Sequence, residues 1–460
     1  MTMKTLFAER ALLADGWARD VRVTLGGDGR IAAVETGAEA GAGDERLAGR
    51  ILLPAPANLH SHAFQRAMAG MTEARGPGGS DSFWTWRRLM YRFVGALTPG
   101  DVEAIAAQVQ VEMAEAGYAA VGEFHYLHHR PGGGAYDDLA EMAARVAAAA
   151  AETGLGLTLL PVLYMQGGCD GRALAGGQTR FACNDIDAFA RLVEGAAAAV
   201  GSVGADARTG VAPHSLRAVP PELARQAARL RPDDPVHIHA AEQTAEVEEV
   251  TAAHGKPPVA VLLDQVGIDA RWCVIHATHM QPDETAALAR SGAVAGLCPI
   301  TESNLGDGIF DGVRFRAAGG AFGIGSDSNI RIGLAEELRT LEYSQRLGER
   351  SRAVLAGPGS TGRVLFEGAV AGGARACGRD AGAIEAGRLA DLMTLDGECL
   401  ALAGLDGDMA LDGWIFAGDD RAVRDLWSAG RRLVVGGSHY AREAVEARYR
   451  AVLTRLRDVA

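Results

Sequence analysis

Residues 51–62 read ILLPAPANLHSH, an apolar, β-rich run that closes on two histidines one residue apart. Side chains at i and i+2 of an extended strand share a face, so His60 and His62 project together from its end. The same texture recurs downstream. Candidate strands at 51–59, 119–124, 156–163, 209–214, 235–240, 272–277, 293–298 and 321–326 alternate with Ala-rich helical stretches. That alternation is the pattern of βα units on a parallel sheet. Eight strands, each followed by a helical segment, predict an α/β fold built on a (β/α)8 barrel of the TIM type. One clear helix is DVEAIAAQVQVEMAEAG, with Asp101 as its cap.

Outside this block the texture is β. Before residue 50, TLFAERALL, DVRVTLGGDG and RIAAVETG read as short strands, with the GGDG turn making a hairpin. After about residue 380, GRLADLMTLDG, MALDGWIFAG and RAVRDLWSAGRRLVVGG read as strands, followed by a terminal helical stretch. The expected division is 1–50, 51–380 and 381–460. The first and last pieces form one small β-sandwich-like domain beside the catalytic barrel.

Composition bounds the function. With 460 residues, 48% of them hydrophobic and 22% charged, the chain can bury a large core, which excludes disorder as its main state. Lys and Arg number 45 against 58 Asp and Glu, a formal charge of −13. So acidic a chain is a poor partner for nucleic acid, and it lacks the basic face of a membrane-surface helix. No run of 18 apolar residues occurs and the N-terminus has no signal-like stretch, so no membrane partner is expected. Cys169, Cys183, Cys273, Cys298, Cys377 and Cys399 are scattered without a C-x-x-C pair. This fits a reducing, cytoplasmic location and argues against a disulfide scaffold.

Histidine carries the sharpest chemical signal. Ten of twelve fall in five places: His60/His62, His125/His128/His129, His214, His237/His239 and His276/His279. Each group lies at or just past the C-terminal end of a candidate strand, the face where barrel active sites assemble. One histidine beside apolar residues is ordinarily a packed core group; five groups at equivalent positions point to metal binding. His60 and His62 supply two ligands, and His237 or His239 a third, with His239 nearer the strand end. Asp327 of GIGSDSN follows the last strand and can complete the set. Three imidazoles and a carboxylate suit one divalent ion such as Zn²⁺ or Fe²⁺.

NLHSH, HIHAAE, VIHATH and GIGSDS, with the tail GRLADLMTLD and VRDLWSAGRRLVVGG, resemble the amidohydrolase superfamily over nearly the whole chain. The resemblance implies a metal-activated hydrolase acting on C–N or similar bonds. Binuclear members often bridge two metals through a carbamylated lysine after the fourth strand. Here TGVAPHS offers His214, and the only lysines are Lys4 and Lys256, so a mononuclear site is implied. LHSHAFQRAMAGM, SFWTWRRLMYR, EFHYLHH, PHSLRAV, HIHAAEQ and TESNLGDGIF resemble, more narrowly, the formimidoylglutamate deiminase family.

That likeness implies hydrolysis of N-formimino-L-glutamate to N-formyl-L-glutamate and ammonia, a step of histidine degradation. His276 and Asp327 would hold and deprotonate water, and Glu242 would protonate the imine nitrogen. Two substrate carboxylates call for arginine forks. Arg217 is one candidate, and Arg87 or Arg88 the other, with WTWR favouring Arg87. Gln65, Tyr126 and His214 complete the substrate contacts. Trp84 and Trp86 are expected to wall the pocket or pack the loop, His125, His128 and His129 to stand behind the site or at the surface, and His279 to be a weaker catalytic candidate than His276. The expected partner is a small dicarboxylate, and a homodimer is compatible with this reading. The alternatives are an aromatic-base (cytosine- or guanine-type) deaminase or triazine-type hydrolase, and a catalytically inert barrel serving assembly. The first would not need the two arginines; the second would have lost a ligand.

Overall fold

The computed structural model describes residues 4–73, 83–357 and 359–457, with side chains of the helix at 83–96 described from residue 86. Eight short parallel strands build the barrel. They are Ala57–Ser61, Ala120–His125, Gly156–Leu163, a broken fourth at Arg208–Thr209 and Ala212–Pro213, Val236–Ala240, Trp272–His276, Val294–Leu297 and Ala321–Ile324. Almost all their residues are buried, as parallel strands covered by helices require.

The strands form two arcs, one to four and five to eight, joined at two seams. At one seam Val211 pairs with Val236 and Ser215 with His239; at the other, Ser61 pairs with Asp327. There the Asp327 N–H donates to the His60 carbonyl and the His62 N–H to the Asp327 carbonyl, both at 2.9 Å. The ring thus closes through residues that carry the predicted site. Leu59 fills the interior below it. A Cβ at Gly296 would meet Leu59 at 2.9 Å and one at Gly323 at 2.5 Å, so glycine at both positions makes the room.

A nine-stranded sheet joins the chain ends. Its link is Arg50–Pro54, which runs parallel to Lys4–Leu13 and antiparallel to Leu392–Asp396. The sheet curls around Leu6, Val21, Val23, Ile31, Leu52, Leu392 and Trp427, all buried. The helix Arg442–Leu456 then returns to the barrel, where Tyr449 donates to the Arg66 carbonyl at 3.1 Å.

Three local expectations are corrected. The stretch 51–59 is two strands, because Pro54 and Pro56 withhold ladder donors and the chain turns a corner between Arg50–Pro54 and Ala57–Ser61. The expected strand at 409–418 is helical, Asp408–Asp412 continuing into a wider turn at Gly413–Ala417. Its buried Ala410, Leu411, Trp414 and Ile415 recur at helical spacing, and Trp414 packs edge-on against Phe366. Asp101 is not the cap of Pro99–Ala116 but its third residue. Thr98 is the cap, and the two exchange bonds: Thr98 N–H to the Asp101 carboxylate at 2.7 Å, Asp101 N–H to Thr98 Oγ1 at 3.3 Å.

Barrel and terminal sheet are tied at the barrel floor by one buried ion network. Arg379 donates to both Asp391 oxygens at 2.5 and 2.9 Å and to Asp206 at 3.0 Å, while Arg431 reaches Asp206 at 2.7 Å. Burial would raise Asp206, but Arg431 and Arg379 outweigh it and hold the carboxyl down to about 2. Its contribution to stability is therefore complete above the ordinary carboxylate range and is lost as pH falls towards about 2. Removing one partner of such a network strands a buried charge. Arg379→Ala is expected to cost about 3–5 kcal/mol in denaturant unfolding. A loss below about 1 kcal/mol, the level of an exposed pair, would show that the network does not bind the two parts.

Candidate metal centre and pocket

His60, His62, His239 and Asp327 converge at the barrel mouth, all buried, with one ligand atom of each within 4.8 Å of the others. Asp327 Oδ1 lies 3.4 Å from His60 Nε2 and 3.2 Å from His62 Nε2. Roughly 3.4 Å is the edge of a tetrahedron with 2.1 Å metal–ligand bonds. The tautomers agree. His62 Nδ1 donates to the Phe124 carbonyl at 3.0 Å and His239 Nδ1 to the His214 carbonyl at 3.2 Å, leaving each Nε2 lone pair to face the centre. Neither ring nitrogen of His60 has a hydrogen-bond partner among the described residues, although both are buried. Burial first, then mutual repulsion, drives His60 and His239 well below the usual imidazole range. Neutral imidazoles, an orphaned pair of nitrogens and one carboxylate fit a single divalent cation.

His237 and His239 do share a face, but His237 sits one layer deeper, bonding the Ala376 carbonyl at 2.8 Å. Depth therefore decides between them. The residues at the strand ends also carry backbone strain. His276 and Asp327 have φ of 67° and 46°, and their neighbours Ala241, Ala277 and Asn329 have 53°, 50° and 54°. Such left-handed conformations cost about 1–3 kcal/mol each away from glycine and need external support. Asn329 supplies some of it, donating to Ser61 Oγ at 3.1 Å and the Asp327 carbonyl at 3.2 Å.

Beside the metal ligands stand His276 and Glu242. His276 Nε2 lies 3.9 Å from both Glu242 Oε1 and Asp327 Oδ2, and its Nδ1 3.1 Å from Glu302. Burial would lower His276, but Glu242, Glu302 and Asp327 together outweigh it and raise it to about 10. Burial, reinforced by Asp327 and Glu246, lifts Glu242 to about 7 against the pull of His276 and Arg217. That is the range in which one carboxyl can both give and take a proton at neutral pH.

These groups form the floor of a pocket whose walls include Gln65, Arg87, Tyr91, Tyr126, Tyr164, His214 and Arg217. Gln65 donates to Tyr126 Oη at 2.7 Å, and His214 stacks on His239 with ring centroids 5.0 Å apart. Arg217 Nη1 is buried without a hydrogen-bond partner among the described residues. Of the two adjacent arginines, Arg87 lines the pocket and Arg88 is exposed. Trp86 also lines it; the side chain of Trp84 lies outside those described.

His128 and His129 instead bond the Val162 and Ala182 carbonyls at 2.9 and 2.6 Å, and His279 the Asp307 carbonyl at 2.6 Å. His125 is buried beside His128, with ring centroids 5.5 Å apart. None of these four histidines lines the pocket. Sequence reading did not single out Glu302, Tyr91 or Tyr164. Glu302 had one signal: a catalytic imidazole needs an acceptor behind it, and TESN follows the next strand.

Known proteins align with this geometry. The profile of the Amidohydrolase family matches residues 51–433, and that of the formimidoylglutamate deiminase HutF N-terminal domain matches residues 3–48. A formimidoylglutamate deiminase of Pseudomonas aeruginosa is 49% identical, with 99% of this chain and 100% of that protein aligned. A 5-methylthioadenosine/S-adenosylhomocysteine deaminase of Natronomonas pharaonis is 30% identical over 77% of this chain and 75% of its own length. The crystal structure of an amidohydrolase from Brucella melitensis superimposes with a TM-score of 0.94 at 51% identity, covering 98% of this chain and 99% of that one. The chain belongs to the amidohydrolase family, in its formimidoylglutamate deiminase branch.

Proposed function

We propose that this protein is a metal-dependent deiminase that hydrolyses N-formimino-L-glutamate to N-formyl-L-glutamate and ammonia, the activity named for its 49%-identical relative. The observation that carries the reading is one pocket with a three-histidine, one-carboxylate centre on its floor and Arg87 and Arg217 in its wall. A bound Zn²⁺, with Fe²⁺ also suited to this donor set, would lower the pKa of water from 15.7 toward about 7.

The chain's own groups do the rest. Asp327, beside the centre, takes the proton of the attacking water as its oxygen adds to the formimino carbon. Glu242 delivers a proton to the imine nitrogen, the proton held by Asp327 follows to make that nitrogen a leaving amine, and Glu242 takes back the hydroxyl proton as the carbon collapses. The tetrahedral carbon then collapses to the formyl C=O and expels ammonia. His276, anchored through Nδ1 on Glu302, faces Glu242 and Asp327 with Nε2 and, with Asp327, holds the water for deprotonation. Arg87 and Arg217 take the two substrate carboxylates, assisted by Gln65, Tyr126 and His214.

We place the reaction in the cytoplasm, a reading supported by six free cysteines. Among the described residues no helix is long and apolar enough to cross a membrane. The net charge of −13 supports a small-molecule substrate over nucleic acid.

Elemental analysis should find about one divalent ion per chain, with both metal and turnover abolished in His60→Ala and Asp327→Ala. Two equivalents, both required for activity, would contradict the mononuclear centre. Glu242→Gln should keep its metal and lose roughly 10²- to 10⁴-fold in kcat; a metal-free variant would make Glu242 a ligand instead. Loss of Arg87 or Arg217 should cost about 1.5–3 kcal/mol, roughly 10- to 150-fold in kcat/KM, with poor rescue by lysine. N-formiminoglycine lacks one carboxylate, so a cycle pairing each arginine variant with each substrate should show coupling for one arginine. Absence of coupling at both, or a preference for an uncharged base such as cytosine or guanine, would favour the aromatic-base deaminase.

A further inference from the structure

Tyr164 stands immediately after the third barrel strand, is 1% exposed and lies in the pocket wall. Its phenol oxygen accepts from Arg87 Nη2 at 3.2 Å and from Gln178 Nε2 at 3.1 Å. Arg217 acts on the same phenol from the other arginine position. Among the described residues, every hydrogen bond to this oxygen has its donor on the other side. A phenol ringed by donors is an anion-like point in the wall. Burial would raise its pKa, yet Arg217 and Arg87 outweigh that and lower it, whereas the neighbouring Tyr91 is pushed up to about 12.

Tyr91 completes the arrangement. It accepts from Arg87 Nε at 2.7 Å, so two phenols fix two edges of the Arg87 guanidinium. Two guanidinium groups sharing one small pocket repel each other. A phenol oxygen that accepts from Arg87 and feels the charge of Arg217 offsets that repulsion. Without it they would relax apart or turn toward Glu242 and Glu246, whose charges already act on Arg217.

We infer that Tyr164 is a specificity-determining residue, a hub whose hydroxyl holds Arg87 and Arg217 at the spacing of a two-carboxylate substrate. The inference rests on the deiminase reading given above and adds the residue that makes the arginine pair one receptor. Such a hub acts on ligands that must span both arginines. A ligand with a single carboxylate engages one of them and does not sense their spacing.

The test is Tyr164→Phe in the metal-loaded enzyme, which removes the hydroxyl and keeps the ring against His214, 4.6 Å away between centroids. For N-formimino-L-glutamate, KM should rise about ten- to a hundredfold, the scale of a hydrogen bond to a charged group, with kcat within about threefold. For N-formiminoglycine both constants should hardly move, so the preference for the dicarboxylate should fall at least about tenfold. Calorimetry should show the same split between N-formyl-L-glutamate and N-formylglycine.

Gln178→Leu keeps the phenol, removes one of its donors and should shift the preference in the same direction by less; it decides the matter if Tyr164→Phe does not fold. An unchanged preference in a folded, metal-loaded variant would overturn the inference, as would a fall in kcat with KM unaltered. A parent enzyme without any preference for the dicarboxylate would instead overturn the deiminase reading itself.

Discussion

Three neutral imidazoles and one carboxylate crowd within 4.8 Å of one another in a buried site, and the rest of the molecule is arranged around that crowding. Without a cation such a set is costly, because the His60 nitrogens give up water and find no partner among the described residues. Closure of the barrel is what imposes the contact. Asp327 and the His60–His62 segment exchange backbone hydrogen bonds across the seam between the last strand and the first. The interaction that completes the ring therefore also sets the distance between ligands, and perturbing one perturbs the other.

The left-handed conformations at His276 and Asp327 follow from the same constraint. A parallel strand continuing straight would carry these side chains past the barrel mouth. Turning the backbone at the strand end keeps them over the axis. The strain persists because the Asn329 amide and the seam hold the loop from both sides. In the pocket above, charge is divided by height. Carboxylates and His276 neutralise one another near the metal ligands, while Arg87 and Arg217 sit with Tyr91 and Tyr164 in the wall. A substrate that is anionic at one end and an imine at the other is complementary to this gradient.

Much of this was legible in the chain. The βα alternation after residue 57 specified the barrel, because period and turn chemistry are local properties. The β texture of both ends pointed to a shared sheet; the pairing of Arg50–Pro54 with both ends, and of Arg30 with Leu389, shows how they join. The segment 409–418 misled because its apolar residues are too few to separate alternation from helical spacing; burial of Leu411, Trp414 and Ile415, with Trp414 edge-on to Phe366, separates them.

What the sequence by itself determined was the set of residues that could act: histidines at strand ends, Asp327 after the last strand, Glu242 three residues beyond His239. These follow from spacing along one strand, where a period of two assigns a face. Tertiary structure alone decided which of them meet. His237 and His239 share a face, and only their depth along the barrel axis makes one face the metal site and the other the Ala376 carbonyl. Arg87 and Arg88 are adjacent in sequence, and helix rotation turns one into the pocket and the other to solvent. Glu302 behind His276 had only the position of TESN after a strand as its signal, and Tyr164 beside Arg87 had none. Their roles come from groups 26 residues away in the first case and 77 in the second, brought together by closure of the ring.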